Sequence, residues 1–169
     1  DGLHLGLPGA FQRANATVAL AALALMRDRF RITPEAVREG LAGVRWPGRL
    51  ATVGEAPLLV LDGAHNPAGV ESLARELPAL VQGRPVVLVF AVMTDKDWRA
   101  MLSPLLPGAV HAVVTRVGRR GAALEPIAAA LARHVTVDAV ADPRAALRAA
   151  CARAGADGVV VVTGSLFLV

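Results

Sequence analysis

The chain has 169 residues, of which 54% are hydrophobic, so it can bury the core of an α/β domain and is not a disordered chain. Its formal charge is +4, but the arginines are scattered and few aromatic residues lie among them, which excludes an obvious nucleic-acid partner. The single cysteine, Cys151, excludes an internal disulfide, and its Ala/Arg-rich surroundings predict a buried, inert thiol. The absence of a membrane-length apolar stretch and of a signal peptide predicts a cytoplasmic protein without a membrane partner.

The first part of the chain predicts two helices. Residues 11–30 form the first, because apolar residues recur at the spacing of one helical face, at Val18, Ala22, Leu25 and Met26. The second covers about 34–43, where Thr33 is a suitable N-cap and Pro34 fits the first helical position. Trp46-Pro47-Gly48 then breaks the pattern and marks the only candidate domain boundary.

After this break, valine-rich apolar segments alternate with helical ones. Strands are predicted at 57–61, 85–92, 109–115, 135–140 and 158–163, and helices at 67–81, 97–106, 124–133 and 143–154. A further edge strand is predicted at about 49–54. Strands that are apolar throughout are typical of a parallel sheet covered on both faces. The predicted fold class is therefore α/β, with a Rossmann-like, mostly parallel sheet flanked by helices and preceded by two helices.

Four loops follow the predicted strands at the edge where open parallel sheets bind ligands. They comprise residues 62–67, 93–97, 116–120 and 164–165, and all are polar or contain glycine although apolar strands lead into them. The sequence therefore predicts that these loops form one shared rim.

The loop at 62–67 carries the most specific pattern, D-G-A-H-N-P. Asp62, at the end of a predicted strand, either binds the hydroxyl pair of a ribose or only caps the local backbone. Asn66 either contacts a ligand or caps the helix that Pro67 opens. His65 is either a functional residue or an exposed loop residue. It is not predicted to bind a metal, because no other ligand lies at a suitable spacing.

Other candidates also have two interpretations. Arg49, after a Pro-Gly turn, either reaches a phosphate or is a solvated surface arginine. Asn15 either satisfies neighbouring backbone or faces a ligand. Lys96, the only lysine, and Arg120, in a cluster of arginines, either contribute to a site or are exposed. Ser165 is predicted to be a helix N-cap. No phosphate-binding glycine-rich loop and no Ser-His-Asp or Cys-His arrangement is present.

Taken together, these motifs resemble the folylpolyglutamate synthase/dihydrofolate synthase family of the Mur ligase superfamily. D-G-A-H-N-P followed by D-K-D at 95–97 is the form found in the folate enzymes. Cell-wall ligases of the superfamily commonly carry tyrosine where Gly63 stands. The resembling segments cover nearly the whole chain, at 7–23, 46–50, 59–73, 89–102, 118–131 and 159–169.

The resemblance implies a domain organisation. Residues 1–45 correspond to the closing helices of the preceding ATPase (central) domain, and residues 46–169 to a Mur-ligase-type carboxy-terminal domain. The family's phosphate-binding loop, magnesium ligands and carbamylated lysine belong to sequence that is not present here. Because the chain starts at Asp1 without methionine and stops at Val169, we expect a piece of a longer enzyme that is inactive alone.

The resemblance also implies an activity, namely ATP-dependent addition of L-glutamate to dihydropteroate or folylpolyglutamates through an acyl phosphate. The implied cofactors are ATP and Mg²⁺, and the implied state is a monomer that partners its own amino-terminal ATPase domain. By residue, His65 lies near the reaction centre and is the implied catalytic residue. The implied cofactor-binding set comprises Asn15, Arg49, Asp62, Asn66, Lys96 and Ser165. The chain departs from some relatives at Arg119, where they carry proline, which leaves the role of Arg120 open.

Two alternative functions stay open at this stage. The first is a cell-wall amino-acid ligase of the same superfamily, which Gly63 and the D-K-D segment disfavour. The second is a non-enzymatic nucleotide-binding or interaction module, which the missing phosphate-binding loop favours and the truncated ends disfavour.

Overall fold

A computed structural model describes residues 2–27 and 29–169 of the chain. Asp28, inside the helix predicted at 11–30, and Asp1, in the predicted first domain, lie outside the described residues. The chain divides into two compact units, the first ending at Arg49 and the second running from Leu50 to Val169.

The first unit contains α1, Gln12–Met26, and α2, Pro34–Gly43. The side chain of Thr33 accepts a hydrogen bond of 3.1 Å from the Ala36 N–H, which confirms the predicted N-cap. Helix α1 ends earlier than predicted. The amides of Arg29 and Phe30 both donate to the Met26 carbonyl, so the chain turns there.

The apolar residues of α1 are exposed within the described part of the chain. Val18 and Leu25 have 71% and 87% of their surface accessible, whereas the buried residue of this helix is the polar Gln12. The periodicity therefore predicted the helix correctly, but its apolar side lies on the surface. Exposed apolar faces of this kind commonly mark contacts with another domain or protein.

The second unit is built on a six-stranded sheet in the order β1-β2-β6-β3-β4-β5. Strand β1 pairs antiparallel with β2, and all other neighbours are parallel, which confirms the predicted fold class. The strands are β1, Ala51–Val53; β2, Leu58–Leu61; β3, Val86–Phe90; β4, Ala109–Val114; β5, Thr136–Ala139; and β6, Val159–Thr163. The helices are α3, Pro67–Val81; α4, Trp98–Leu102; α5, Leu124–Leu131; and α6, Pro143–Ala154.

The topology places helices on both faces of the sheet. Right-handed crossovers put α3, α4 and α5 on one face, whereas α6 returns in the opposite direction along the other face. Against α6, Val87, Val89 and Val160 pack on Ala146 and Ala150. The small alanine side chains let the helix approach the sheet closely. Every residue of β3 and β6 is buried, as expected for central parallel strands.

Differences from the predicted boundaries have local causes. The helix predicted at 97–106 stops at Leu102 and continues as a 3-10 turn over Ser103–Leu105, because Pro104 cannot donate a helical hydrogen bond.

Cys151 is half-buried, and burial raises the pKa of its thiol, which lowers its reactivity. Across the described residues, the helices are too short or too polar to cross a bilayer.

Candidate functional site

The four loops at the carboxyl edge of the sheet share one cavity of about 240 Å³. This rim cavity confirms the prediction of a shared rim, because the loops after β2, β3, β4 and β6 all contribute to it. Its lining residues are His65, Met93, Asp95, Lys96, Arg120, Ser165, Leu166 and Phe167. Three of the predicted site residues, His65, Lys96 and Ser165, are therefore brought together.

Backbone hydrogen bonds join the loop after β3 to the loop after β4. The Thr94 N–H donates to the Arg120 carbonyl over 3.0 Å, and the Ala122 N–H donates to the Val92 carbonyl over 2.8 Å. Met93 and Gly121 also form an antiparallel bridge. This pairing holds the residues next to Lys96 and Arg120 in one small sheet, so the two cations line the same cavity.

The charges in the rim cavity are predominantly positive. Lys96 Nζ lies 3.0 Å from Asp95 Oδ2, while Arg120 contributes a second positive charge. The hydrogen bond from Lys96, and then the charges of Lys96 and Arg120, hold the pKa of the Asp95 carboxyl below its ordinary value. The lining therefore carries two fixed cations against one carboxylate, an arrangement that favours an anionic ligand.

The ring of His65 is oriented by the backbone of its own loop. His65 Nδ1 lies 2.8 Å from the Gly63 carbonyl oxygen. Because a carbonyl can only accept, Nδ1 carries the hydrogen, and Nε2 of the neutral ring has a lone pair that can accept a proton. His65 is half-buried and lines the rim cavity, so this nitrogen is the candidate base of the site.

Asn66 has the capping role that the sequence offered as one of its two interpretations. Its side-chain oxygen accepts a 2.8 Å hydrogen bond from the Gly69 N–H, and Pro67 occupies the first position of α3. The side chain is exposed at the start of the helix. In the structure, the side chain of Asn66 therefore serves to accept a hydrogen bond from an N–H that has no partner inside the first turn of α3.

Asp62 is buried, with 3% of its surface accessible. Its Oδ1 accepts from the Ala64 N–H over 2.8 Å, and its Oδ2 accepts from the Leu50 N–H over 2.9 Å. Both carboxylate oxygens are thus bonded to backbone amides. The link to Leu50 spans twelve residues, so no local motif in the sequence could indicate it.

Ser165 is 1% accessible, and its hydroxyl accepts a 3.2 Å hydrogen bond from the Phe167 N–H. The residues that follow form a turn, and Ser165 bonds the amide of the second of them, as an N-cap does, while the predicted helix itself stays a prediction. The hydroxyl stabilises this turn because it satisfies an amide two residues along the chain. It thereby shapes the wall of the rim cavity that Leu166 and Phe167 form.

Asn15 and Arg49 belong to the first unit. Asn15 Nδ2 donates a 2.9 Å hydrogen bond to Gln12 Oε1. Asn15 and Gln12 also line a cavity of about 240 Å³ inside that unit. Sequence reasoning did not single out Gln12, although its spacing of three residues from Asn15 on a helix was a possible signal. Arg49 is half-buried.

Sequence reasoning also missed a second polar cluster, on β4, β5 and α6. His111 Nε2 lies 2.9 Å from Asp138 Oδ2, and Arg153 lies 3.2 Å from the same oxygen. We refer to these three residues as the edge cluster. No motif indicated it, because its members are 15 or more residues apart. Within residues 2–27 and 29–169, no group of three or more His, Cys, Asp or Glu side chains could hold a metal ion.

Comparison with known proteins gives consistent relatives. The chain is 31% identical to the dihydrofolate synthase/folylpolyglutamate synthase of Bacillus subtilis, with 100% of this chain and 40% of that protein aligned. The structure resembles Mycobacterium tuberculosis folylpolyglutamate synthase complexed with ADP at a TM-score of 0.85 and 32% identity, covering 98% of this chain and 40% of that one.

A cell-wall enzyme is also similar. The UDP-N-acetylmuramoyl-L-alanyl-D-glutamate–2,6-diaminopimelate ligase of Corynebacterium efficiens is 33% identical over 93% of this chain and 32% of its own length. The chain thus spans well under half the length of each of these relatives. The family model described as the Mur ligase, glutamate ligase domain matches residues 48–166, and the chain therefore belongs to the Mur ligase family.

Proposed function

We propose that this chain supplies the glutamate-binding domain of an ATP-dependent ligase that joins L-glutamate to dihydropteroate or to folylpolyglutamates. The observation that carries the proposal is the rim cavity, where four loops place His65, Lys96 and Arg120 around one small space. The names of the folate-enzyme relatives support the acceptor class.

The cavity suits a single amino acid in size and charge. Its volume of about 240 Å³ lies below the range of about 300–1,000 Å³ that is usual for drug-sized ligands. The cations of Lys96 and Arg120 can form charge-assisted hydrogen bonds with the carboxylates of glutamate. Asp95 keeps Lys96 in place through the 3.0 Å ion pair.

His65 is the proposed catalytic base. In the proposed reaction, the amino nitrogen of glutamate attacks the carbonyl carbon of the acyl phosphate. A C–N bond forms, phosphate leaves with the electron pair of the broken C–O bond, and a proton of the amine passes to His65 Nε2. The bond from Nδ1 to the Gly63 carbonyl keeps Nε2 in the accepting form and supports the imidazolium that results.

Nucleotide contacts are proposed for Asn15, Arg49 and Asp62, with Asn66, Lys96 and Ser165 in the wider binding set. A guanidinium such as that of Arg49 suits phosphate oxygens, because phosphoryl transfer depends on positioning and charge neutralisation. Mg²⁺ is proposed as a cofactor whose ligands lie in the amino-terminal part of the whole enzyme, and we derive no step from the metal.

The first unit is proposed to complete an ATPase domain. The exposed apolar residues of α1, such as Val18 and Leu25, support this assignment, because a helix of this kind is stable against a second apolar surface. We assign residues 1–45 to the closing helices of that domain and residues 46–169 to the carboxy-terminal domain. We further propose that the whole enzyme is a cytoplasmic monomer, which sedimentation of the purified protein would test.

The test uses the product of the complete reading frame with ATP, Mg²⁺ and labelled glutamate. Dihydropteroate, a reduced folate and a UDP-linked cell-wall precursor are offered separately. We expect incorporation into one or both pterin acceptors. In His65→Ala, kcat should fall by about 10²- to 10⁴-fold, the usual contribution of a general base. His134→Ala is the matched control, because His134 is exposed and does not line the rim cavity.

The similarity to the Corynebacterium efficiens enzyme favours a second candidate, a cell-wall amino-acid ligase. Incorporation only into the UDP-linked precursor would establish that candidate and refute the folate assignment. A protein that binds ATP but incorporates no glutamate into any acceptor would instead be a non-enzymatic nucleotide-binding module.

A further inference from the structure

The lining of the rim cavity has an apolar part as well as its two cations. Met93, Leu166 and Phe167 contribute side chains that neither carry a charge nor donate a hydrogen bond. Leu166 and Phe167 have 41% and 81% of their surface accessible, whereas every residue of β6, which leads into this loop, is buried. Apolar side chains exposed together beside a cavity commonly mark a contact with a ligand. We refer to Met93, Leu166 and Phe167 as the apolar wall.

The exposure of Phe167 is imposed by a turn that is fixed on both sides. The Phe167 N–H donates to Ser165 Oγ over 3.2 Å, and the Leu168 N–H donates to the Ser165 carbonyl over 3.1 Å. Ser165 is itself buried, and Leu168 packs against the core of the second unit together with Val169. Because the turn is anchored in this way, the ring of Phe167 stays beside the cavity although its contact with water is unfavourable.

The charged groups of the cavity match a ligand with two carboxylates and one amino group. Lys96 and Arg120 provide cations for the carboxylates, and His65 Nε2 provides an acceptor for the amine. Among the described residues that line the cavity, Asp95 is the one carboxylate, and it is bonded to Lys96 over 3.0 Å. A second ammonium on the ligand would therefore meet cations and apolar surface without a carboxylate of its own.

We propose that Phe167 is a specificity-determining residue of this site, whose ring contacts the methylene groups of glutamate and disfavours an amino acid with a second ammonium. The inference rests on the proposed glutamate ligase and deepens it. Contact with the ring removes apolar surface of the methylene groups and of Phe167 from water. The ring face attracts an ammonium much less than a carboxylate does, and Lys96 and Arg120 repel it.

The first experiment measures KM and kcat for glutamate on the product of the complete reading frame, with ATP, Mg²⁺ and the acceptor that the wild type uses. We expect Phe167→Ala to raise the KM about three- to ten-fold, the effect of uncovering one or two methylene groups. The kcat should stay within about two-fold, because the contact lies away from the reacting nitrogen and is equal in the ground and transition states. Phe167→Leu keeps an apolar contact and should restore most of the KM.

An unchanged glutamate KM in Phe167→Ala, whatever its kcat, would overturn the proposal. Because Phe167 is exposed, both variants should unfold at the same urea concentration as the wild type, which separates the change in KM from a folding defect.

The second experiment measures selectivity, as the ratio of the inhibition constant of 2,6-diaminopimelate to the KM for glutamate. Phe167→Asp places a carboxylate where the ring stands, and this ratio should fall at least about ten-fold, because a second ammonium gains a partner. Val110→Asp is the matched control, since Val110 is 56% accessible and does not line the rim cavity. An unaltered ratio in Phe167→Asp, or an equal fall in Val110→Asp, would overturn the proposal.

Glutamate incorporation by the wild type judges the ligase proposal separately. If the wild type incorporates glutamate and the Phe167 variants match it in KM and selectivity, the specificity role of Phe167 alone is refuted. A wild type that incorporates no glutamate, or that uses 2,6-diaminopimelate in its place, would overturn both.

Discussion

The rim cavity and the edge cluster contain the same kinds of residue and differ in what those residues bind. In the edge cluster, His111 and Arg153 both bond to Asp138, which links two strands and a helix. In the rim cavity, His65, Lys96 and Arg120 come from separate loops and surround a space. A histidine beside a carboxylate is therefore not by itself a sign of function. The distinguishing property is hydrogen-bonding capacity that faces a cavity.

The comparison leads to a clear division of effects. Changes in the rim cavity should alter ligand binding and turnover, and changes in the edge cluster should alter stability alone. The exception is the backbone that shapes the rim, where a single substitution should alter both the stability of the protein and its ligand binding.

The largest effect is expected at Gly164, where β6 enters the rim with a φ of 105°. An added Cβ would overlap the carbonyl oxygen of Ala91 and lie 2.9 Å from the Phe90 ring. We expect Gly164→Ala to lower the free energy of unfolding by about 3 kcal/mol, from overpacking and backbone strain together. Urea denaturation of the protein measures this loss.

The matched control is Gly155→Ala. Gly155 also has a positive φ, but no atom lies within 4 Å of its added Cβ. With a φ of 62° and a ψ of −166°, a conformation adopted almost only by glycine, Gly155→Ala should show the backbone strain alone, about 1–3 kcal/mol. Equal losses in the two variants would mean that close packing at Gly164 does not shape the rim.

The next largest effect concerns the two cations of the rim cavity. Lys96→Met or Arg120→Met should raise the KM for glutamate about 10- to 100-fold, because each removes a charge-assisted hydrogen bond to a carboxylate. Unfolding free energies should stay within about 0.5 kcal/mol, since both groups lie near the surface. Steady-state kinetics measures this change in KM. Arg133→Met is the control, because Arg133 is a surface arginine outside the cavity. An unchanged glutamate KM in both variants would exclude this cavity as the glutamate site.

A smaller effect is expected at Asn66, which separates capping from ligand binding. Asn66→Ala should destabilise the protein by about 1 kcal/mol, the usual value for a lost N-cap, and Asn66→Ser should restore most of it. Asp142→Ala is the comparison, because Asp142 caps α6 in the same way, with a 2.7 Å bond from the Ala145 amide. If Asn66→Ser is stable but its ATP affinity falls, Asn66 also contacts the nucleotide.

The smallest effect belongs to the edge cluster and depends on pH. The hydrogen bond from His111, and then the charge of Arg153, hold the pKa of the Asp138 carboxyl below its ordinary value. A lowered folded-state pKa stabilises the protein above the unfolded pKa of about 3.9, and this contribution is lost as the pH falls through the folded value. Asp138→Asn should therefore cost less than about 1 kcal/mol at pH 7, since the side chain is 32% accessible.

The difference between wild type and Asp138→Asn should shrink as the pH falls below about 3.9 and disappear below the lowered folded-state pKa, where both side chains are neutral. Thermal unfolding from pH 2 to pH 7 measures it. A change in ligase activity in this variant would remove the distinction between the two clusters.

The fold was predictable because its signals are local and repeated. Apolar strands such as Val86–Phe90 and Val159–Thr163, alternating with helices, define a parallel sheet and hence its ligand-binding edge. The position of that edge alone predicts that His65, Lys96 and Ser165 share one rim, and they line the same cavity. The sequence signal for the N-cap at Thr33 was equally local.

Long-range contacts were not predictable in this way. The bond from Asp62 to the Leu50 amide, the pairing of His111 with Asp138 and the exposure of Val18 depend on how distant segments meet. Hydrophobic periodicity indicates that a helix has an apolar side but not what covers it. The predicted roles of Asn15 and Arg49 remain predictions for the same reason.

The small sheet formed by the Met93–Gly121 bridge and the Thr94–Arg120 hydrogen bond has a consequence for ligand binding. Loops joined in this way do not need to be ordered when a ligand arrives, so little conformational entropy is lost on association. Lys96 and Arg120 line the same cavity, so the carboxylates of the proposed glutamate would offset the repulsion between these two cations. Preformed loops of this kind would raise the affinity of the proposed glutamate site, so weakening this bridge should lower glutamate affinity even when every lining side chain is intact.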